Sequence, residues 1–473
     1  MPVTLKSQLT KIARIAAKIA LGLVAFALLF VLACFILNSS DAPLSVQAKT
    51  LLTPPPNPYS PEENIYLAIA GMEGPQDRPI IEMGEQRIAA YDKALDTALL
   101  KPEAAVDLNK EWNDTKLKVD GSVEQLGQSR TSSIWTAAKT HRQEIATLLA
   151  ANQSLYQRYV SLHHLKGYYE TARPSFMAPV INPPPSLRTL FLADVANRIQ
   201  TGTPQQQREA LNDVHRDLQL WRNVLKGDGT LISKVLSVAY LHGDLILLTD
   251  LLTDPSFDSR PLEDLLDSIL PPFDLKDYQV GNAIDAEFRA RATLYGTITA
   301  ANELISTSAS TKWTSRVWNA FQTHFFKPND TENIDAEFTA HRIALADSEP
   351  TELERHRQKF ESWLEKEGPH LSPSYIYNPM GKILVSFTTV QKESYSLRAY
   401  DVAAYQRLVY LIFQFKCQRV GTADVAAFLN AHPDWSTHPV DGKPFKWNAD
   451  TGKLTVNTLG EHPRDQRFSV ILR

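Results

Sequence analysis

An uninterrupted apolar run at residues 19–37 constrains the folding of this 473-residue chain more than any other feature. As a helix rising about 1.5 Å per residue, the run would measure about 28 Å, close to the roughly 30 Å hydrocarbon core of a bilayer. Only basic side chains precede it (Lys6, Lys11, Arg14 and Lys18), and the first acidic residue is Asp41. Because positive charge favours the cytoplasmic side, the sequence predicts a cytoplasmic N-terminus with the rest of the chain across the membrane.

Three ways of processing this run stay open. A secretory signal has an apolar core of about 7–15 residues before a small-x-small cleavage site, whereas this run is longer and residues 35–40 contain no such site. Residues 31–34 resemble a bacterial lipobox, which predicts cleavage before Cys34 and its acylation, although the residues after Cys34 stay apolar. The length favours a retained anchor, with acylated Cys34 and simple cleavage as alternatives. All three place the body on the same side of the membrane.

Charge and cysteine content narrow the class of protein. The formal net charge is −4, and four basic side chains lie in the first 18 residues, so the remainder carries −8. A modestly acidic body lacks the basic face of a nucleic-acid-binding protein. Cys34 lies inside the apolar run, so a retained anchor excludes an internal disulfide with Cys417. We expect Cys417 to pack as a small buried apolar side chain.

Composition divides the chain into five segments. They are a basic cytoplasmic tail at 1–18, a transmembrane helix at 19–37, a Pro-rich linker at 38–62, an α-helical body at 63–370 and a C-terminal helical segment with a small β element at 371–473. Pro-rich segments favour an extended backbone of about 3.1 Å per residue, so the linker could hold the body up to ~75 Å from the bilayer. The alternative, that the linker packs back on the body, stays open.

Helix-start signals and long apolar faces predict a mainly α-helical body. Residues 60–63 combine an N-cap serine, a proline at the first helical position and a glutamate for a capping box, and residues 203–206 repeat the device. Helices are predicted at residues 139–170, 204–225, 231–252, 279–306, 312–326, 332–346 and 351–367. Helix 231–252 is apolar nearly all round and is expected to be the central core helix, because His242 and Asp244 argue against a second membrane span.

The C-terminal segment carries the signature of a small sheet. Residues 444–456 alternate apolar and polar side chains on both sides of an Asp-Thr-Gly turn, and residues 468–472 are a candidate third strand. We expect Phe445 and Trp447 to pack this sheet onto the helical body. The predicted fold class is therefore mainly α, with an N-terminal transmembrane helix, a multi-helix body and a small C-terminal β element.

Two histidine-containing motifs are weak candidates for chemistry. His163 and His164 could suggest a metal site, but adjacent histidines point about 100° apart on a helix, and helical metal pairs need i,i+4 spacing. His215, Arg216 and Asp217 spell the kinase catalytic triplet, without a Gly-rich loop, a strand lysine or an Asp-Phe-Gly motif. Both motifs are expected to be structural.

The other candidate motifs have equally plain structural interpretations. Residues 227–230 follow a predicted helix rather than a strand, so they are expected to cap two successive helices instead of binding phosphate. Glu63, Glu73 and Asp77 would suit a glycosidase only if two of them lay across a cleft, which spacing cannot show. Residues 441–447 could form a recognition edge, although packing onto the body is preferred. The sequence thus predicts no cofactor or metal site and leaves the catalytic residues unknown.

Three short stretches carry a resemblance to a known family. Residues 64–72 (NIYLAIAGM), 378–382 (NPMGK) and 441–445 (DGKPF) resemble the opening and closing segments of a family of uncharacterised proteobacterial single-pass membrane-anchored proteins that face the periplasm. The resemblance covers the two ends of the body better than its middle. It implies a bacterial inner-membrane location with a periplasmic body, and it implies no activity, because the family has no assigned function.

The leading functional hypothesis is a non-enzymatic binding or scaffold protein whose periplasmic helical body holds an envelope protein or lipid partner. The alternative is a periplasmic hydrolase with an unrecognised carboxylate or histidine site. A sensor is disfavoured, because an 18-residue tail is too short for an output domain. An enzyme should show a pocket with several perturbed titratable groups, and a binding module should show an exposed apolar patch.

Overall fold

The structure is a computed structural model that describes residues 5–100, 116–126, 133–176, 178, 181–307, 313–366, 373–388, 394–460 and 468–472. These residues are mainly α-helical and end in a small three-stranded antiparallel sheet, which confirms the predicted fold class.

The helices and strands follow in chain order. The helices are α1 (Leu5–Leu37), α2 (Val46–Leu52), α3 (Ile65–Gly71), α4 (Ile80–Leu100), α5 (Ile134–Thr140), α6 (Arg142–Ala151), α7 (Gln153–Ser161), α8 (Pro185–Thr201), α9 (Pro204–Lys226), α10 (Leu231–Thr253), α11 (Glu263–Ile269), α12 (Gly281–Thr307), α13 (Trp313–Phe325), α14 (Pro328–Ala346), α15 (Leu353–Lys366), α16 (Pro379–Thr388), α17 (Ser394–Cys417), α18 (Val425–Ala431) and α19 (Pro433–Ser436). The strands are β1 (Lys446–Asn448), β2 (Lys453–Thr455) and β3 (Ser469–Ile471).

The chain forms two compact units. The first unit, which we name the anchor unit after the anchor that the sequence predicts, comprises Met1–Leu52, Leu294–Phe338 and Trp363–Gln391. The body unit comprises Thr53–Thr293, Thr339–Ser362 and Lys392–Arg473. The five segments expected from composition stay predictions, and the segment expected to be a linker contains helix α2.

Helix α10 forms the centre of the body unit, where it packs against α9 and α17. Leu241, Leu245, Leu248 and Leu252 on α10 are all buried. A helix covered on several sides can be apolar nearly all round, which explains why α10 is long and apolar enough to cross a membrane although most of it is buried in the protein. The prediction of a central core helix is confirmed.

The single helix predicted at 139–170 is wrong, because the chain breaks there into α5, α6 and α7. The break between α6 and α7 lies at Asn152, which is buried. The Asn152 amide group donates to the carbonyls of Leu148 and Asp120, both at 2.8 Å, and its Oδ1 accepts from the Asp120 backbone amide at 2.7 Å. Asparagine competes in this way for backbone partners and interrupts a helix.

The predicted hairpin is confirmed at β1 and β2. Trp447 is paired with Leu454, and Gly452 supplies the left-handed backbone of the turn with φ +62°. Strand β3 adds to the other edge of β2, with Val470 opposite Leu454. Phe445 is buried in the core, as predicted, and Trp447 is half-buried against it.

Asp401 on α17 holds the loop that follows β2. Its carboxylate accepts hydrogen bonds from the backbone amides of Leu459 at 2.7 Å and Gly460 at 2.9 Å. His438 Nε2 lies 3.2 Å from the same carboxylate, while His438 Nδ1 accepts from the Val440 amide. With Nδ1 as the acceptor, Nε2 is the ring nitrogen that can donate to Asp401. Asp401 therefore contacts both the loop after β2 and the segment before β1.

Replacing Leu248 by alanine should strongly destabilise the body unit. The side chain is fully buried in α10, and truncating such a leucine typically lowers the free energy of unfolding by about 2–5 kcal/mol. Ile232→Ala on the same helix is the matched control, because Ile232 is 51% exposed and should change stability by less than about 1 kcal/mol. Urea unfolding of the full chain in detergent measures both. Equal losses would contradict the assignment of α10 as the core helix.

Candidate functional site

Asn38 joins the C-terminal end of α1 to the rest of the anchor unit. Its side chain is fully buried. The amide nitrogen donates to the carbonyls of Cys34 at 2.9 Å and Ile376 at 2.6 Å, and Oδ1 accepts from the Asn378 backbone amide at 2.8 Å. Both ends of the side chain are thus satisfied by backbone groups. We call the contacts made by Asn38, Asp41 and Asn378 the junction.

Asn378 is the second residue of the junction and precedes α16. It has φ +50°, a left-handed conformation that asparagine tolerates better than most residues. Its Oδ1 accepts from the backbone amides of Lys327 at 2.9 Å and Gly381 at 3.1 Å, and its amide nitrogen donates to Asp330 at 2.9 Å. A Cβ on Gly381 would approach Thr331 Oγ1 to 1.9 Å, so this contact needs glycine.

Asp41 completes the junction by capping α14. Its two carboxylate oxygens accept from the backbone amides of Asn329 at 2.9 Å and Asp330 at 3.2 Å. A carboxylate at a helix N-terminus satisfies donors that have no partner within the helix and interacts favourably with the helix dipole. The first residues after α1 are therefore fixed to α14 and α16 by specific hydrogen bonds.

The body unit contains a buried charge network centred on Asp217 of α9. Its carboxylate accepts from Tyr159 at 2.8 Å, from His163 Nε2 at 3.0 Å and from Trp221 Nε1 at 3.2 Å, and it lies 3.5 Å from Arg188. These partners come from α7, the turn after it, α8 and α9. Burial acts to raise the pKa of Asp217, but the donors, led by His163 and Arg188, lower it overall.

Arg188 extends this network to α10. Its guanidinium binds Asp244, donates to the Tyr240 carbonyl at 2.6 Å and lies 4.5 Å from the centre of the Tyr240 ring. Burial, reinforced by the nearby charge of Asp217, raises the pKa of Asp244 well above its usual range. The arrangement connects the helices around the core, which is a structural use of buried ions.

The structure buries one of the two histidine candidates and exposes the other. The His163 ring is buried in the Asp217 network beside Tyr159, while His164 is exposed. The residues that the structure describes contain no group of three or more His, Cys, Asp or Glu side chains that could hold a metal ion. Asp217 of the kinase-like triplet is the residue whose importance the sequence analysis missed, and its position on the apolar face of α9 was the available signal.

Gly227 ends α9 and Thr230 precedes α10, so residues 227–230 cap two helices as predicted. The C-terminal carbonyls of α9 are satisfied by Lys234, which donates to Val224 at 3.1 Å and Leu225 at 2.8 Å, and also to Gly227. Burial lowers the pKa of Lys234 to about 8.

Two of the three N-terminal carboxylates form separate ion pairs, and the third is exposed. Glu63 binds Lys166, and Glu73 lies 2.9 Å from Lys116. Asp77 is exposed. Each contact is an ion pair at the surface, and the structure supplies no shared cleft for a glycosidase pair among them.

A cleft of about 200 Å³ in the body unit is the candidate binding site. It is lined by Pro54, Tyr169, Glu170, Thr171, Ala172, Arg173, Pro174, Ala178, Asp228, Gly229, Thr230, Ala286 and Arg289. Within it, Arg289 binds Asp285 and lies 3.5 Å from Asp228, whose pKa is raised by burial. Glu170 accepts from Tyr168 at 2.8 Å. Arg289, Asp228 and Glu170 therefore all have polar partners, and the first two contact each other.

An exposed aromatic side chain lies close to the cleft in sequence. Phe176 is 64% exposed and follows Pro174, a lining residue, by two positions. A second cavity of about 360 Å³ has a mainly apolar lining that includes Ile412 and Phe415, with Lys416 beside them. Lys416 Nζ donates to the Phe257 carbonyl at 3.4 Å and lies over the Phe257 ring. The cleft has the Arg289–Asp228 pair in its lining, and exposed Phe176 lies between its lining residues Pro174 and Ala178 in sequence.

No protein-family model, curated protein or solved structure matches this chain. The family resemblance described from residues 64–72, 378–382 and 441–445 therefore stays a prediction, and functional inference rests on the geometry.

Replacing Asp217 by asparagine should lower the free energy of unfolding by about 3–5 kcal/mol, because Arg188 and His163 then lose a buried charged partner. Asp213→Asn on the same helix is the control. Asp213 pairs with Arg198 and Arg216 at the surface, so its replacement should lower the free energy of unfolding by about 1 kcal/mol or less. Urea titration of the full chain measures both, and indistinguishable variants would refute the structural role of the network.

Lys234 should make stability depend on pH in the alkaline range. The folded pKa of about 8 is below that of an unfolded lysine, about 10.4, so the unfolded state binds more protons between these values. The stability of the native chain relative to Lys234→Met should therefore rise between pH 8 and pH 10, by an amount on the order of 2 kcal/mol. Unfolding of both proteins across this range measures the difference between their free energies of unfolding. If Lys234 had an ordinary lysine pKa in the folded chain, this difference would stay constant.

Proposed function

We propose that this chain is a single-pass inner-membrane protein whose periplasmic body is a non-enzymatic binding or scaffold module. Helix α1 supports the anchor, because its most apolar part, within Arg14–Leu37, has none of its residues buried in the protein. The basic residues before it support a cytoplasmic N-terminus. The body unit is then exposed to the periplasm.

The observation that carries this proposal is the junction. Asn38 follows α1 directly and is buried in hydrogen bonds with Cys34, Ile376 and Asn378. Cleavage after Asn38 would remove this side chain, whereas a retained anchor keeps it in place. A fixed junction also suits a protein that holds a folded unit at a defined position beside the bilayer. Cleavage before Cys34 with acylation keeps Asn38 as well and remains the alternative form of the anchor.

The use of ionisable groups in the body unit supports binding over catalysis. Asp217, Asp244 and Lys234 are buried in contacts with neighbouring helices and backbone carbonyls. A catalytic acid or base must instead lie within hydrogen-bond reach of a substrate. The cleft, with exposed Phe176 near its lining residue Pro174 in sequence, offers a surface where an extended or helical segment of a partner protein could bind.

Membrane attachment has a direct test. The full chain should stay in the membrane fraction after alkaline carbonate extraction, and protease added to spheroplasts should degrade the body unit. The intact mass distinguishes the two anchors, because the lipoprotein form lacks residues 1–33 and carries acyl groups that Cys34→Ala abolishes. Release of the full-length chain by carbonate would refute the anchor.

Binding at the cleft is tested by site-specific photo-crosslinking in intact cells. A photoreactive amino acid at Phe176 should give one reproducible protein adduct, identified by mass spectrometry. The same amino acid at Gln205, an exposed position on α9, is the matched control and should give none. The adduct should also disappear when Arg289→Ala disturbs the cleft in the probe-bearing protein. Identical patterns from both positions would argue against a partner at the cleft.

One observation favours a hydrolase as the second candidate function. Glu170 and Asp228 line the same cleft, and burial raises the pKa of Asp228, as expected for a general acid. If the purified full chain hydrolyses a test substrate and Asp228→Asn abolishes that turnover without unfolding the protein, the hydrolase replaces the scaffold.

A further inference from the structure

Five large apolar side chains lie exposed on two helices of the anchor unit. They are Trp313 (74% exposed), Trp318 (61%) and Phe321 (43%) on α13, and Ile383 (37%) and Phe387 (73%) on α16. In the described part of the chain, only ten large apolar side chains beyond α1 are exposed, so half of them are on these two short helices. Scattered exposed apolar residues are normal, whereas a cluster marks a surface that contacts something other than water.

The two helices contribute to one surface. Helices α13 and α16 pack against each other. Along α13, the Trp318 and Phe321 rings are stacked with centroids 5.8 Å apart, and the Phe321 and Phe325 rings are 4.6 Å apart. Phe325 is itself buried, so this row of rings runs from the exposed face into the packed part of the unit. We call the exposed residues of α13 and α16 the aromatic face.

The row of rings ends on the anchor. Phe35, in the last turn of α1, lies 4.8 Å from the His324 ring and 5.2 Å from the Phe325 ring, measured between centroids. His324 Nε2 also lies 2.9 Å from the Phe35 carbonyl oxygen, a group that has no partner within the helix at its C-terminal end. The C-terminal end of α13 is therefore fixed at the level where the apolar run of α1 ends.

We propose that the aromatic face lies in the headgroup region of the bilayer beside α1, so that the anchor unit contacts the membrane through α13 and α16 as well as through its span. This inference rests on the proposed membrane anchor. Tryptophan and other aromatic side chains favour the membrane–water interface, and interfacial helices bury their apolar faces about 5–10 Å into it.

Two further features fit lipid headgroups as the occupant. Lys382 of α16 lies 6.0 Å from the centres of both the Tyr375 and Tyr377 rings, which places a basic and two amphipathic side chains next to the aromatic face. Such side chains keep their apolar parts in lipid while their polar ends reach water and headgroups. The continuity of the face with the end of α1 favours the bilayer over a partner protein, because any neighbour at this level must share the space with lipid.

Depth-dependent fluorescence quenching tests the inference on the full chain. Single-cysteine proteins are made by replacing Cys34 and Cys417 with alanine and introducing Trp318→Cys, Phe387→Cys, Leu28→Cys or Phe176→Cys, each labelled with a small fluorophore. The proteins are reconstituted in vesicles of phosphatidylethanolamine and phosphatidylglycerol that contain lipids spin-labelled either at the headgroup or in the acyl chain. Thermal unfolding confirms that each labelled protein is folded. All four positions are exposed, so labelling should not disturb packing.

The expected result is strong quenching of positions 318 and 387 by headgroup labels, several-fold above that of Phe176→Cys in the body unit. Leu28→Cys in α1 reports the span independently and should be quenched by acyl-chain labels. If Leu28→Cys is quenched but positions 318 and 387 are quenched no more than Phe176→Cys, the inference fails and the anchor stands. If Leu28→Cys is not quenched, the proposed anchor itself fails. If the fluorophores at positions 318 and 387 are shielded from both the lipid labels and water, a protein neighbour covers them. That result would overturn the inference.

Discussion

The apolar surface of α1 must be kept from water, and the last turn of that helix must also connect to the folded remainder of the anchor unit. Asn38 is the residue at which these two requirements meet, because it is buried immediately after the apolar run and bonds to backbone groups near residue 377. Asp41 then caps α14, three residues further on. A chain attached in this way has little freedom at the point where it would leave a membrane, so the position of the anchor unit follows from that of α1.

The body unit solves a different problem, which is how to pack long helices around α10 with charged residues among them. Asp217, Arg188 and Asp244 meet where α8, α9 and α10 approach one another, and Lys234 closes the end of α9. A buried charge without a partner would strongly destabilise the fold, so each of these residues restricts how the helices can be arranged. The ionisable side chains that first suggest chemistry in the sequence are, in this unit, mostly the ones that specify its packing. Charged residues also line the cleft, where Glu170, Asp228 and Arg289 are found.

Local signals predicted much of the fold because they depend on neighbours in sequence. The capping box at Thr203 and Gln206 begins α9, Gly227 ends it, and the turn at Gly452 joins β1 and β2. The long helix expected at 139–170 failed at Asn152, because its side chain found backbone partners at Asp120, which no local pattern reveals. Cys417 shows a smaller difference, since it was expected to be buried and is only half-buried at the end of α17. The candidate site was predicted least well, because the sequence marked Asp217 only as part of a kinase-like triplet and did not mark Arg289 at all.

Hydropathy and local pattern alone determine that this chain has an N-terminal apolar helix, a mainly α-helical body and a C-terminal hairpin, because these properties need only 10–30 neighbouring residues. Tertiary structure decided which polar residues carry the architecture. Asn38 meets Asn378 across 340 positions of sequence, and Arg188 meets Asp244 across 56. It also decided which aromatic residues stay uncovered, since Trp318 and Phe325 lie on the same helix and only their surroundings leave one exposed and the other buried. Burial and partner choice are properties of the assembled chain, and the candidate sites depend on them.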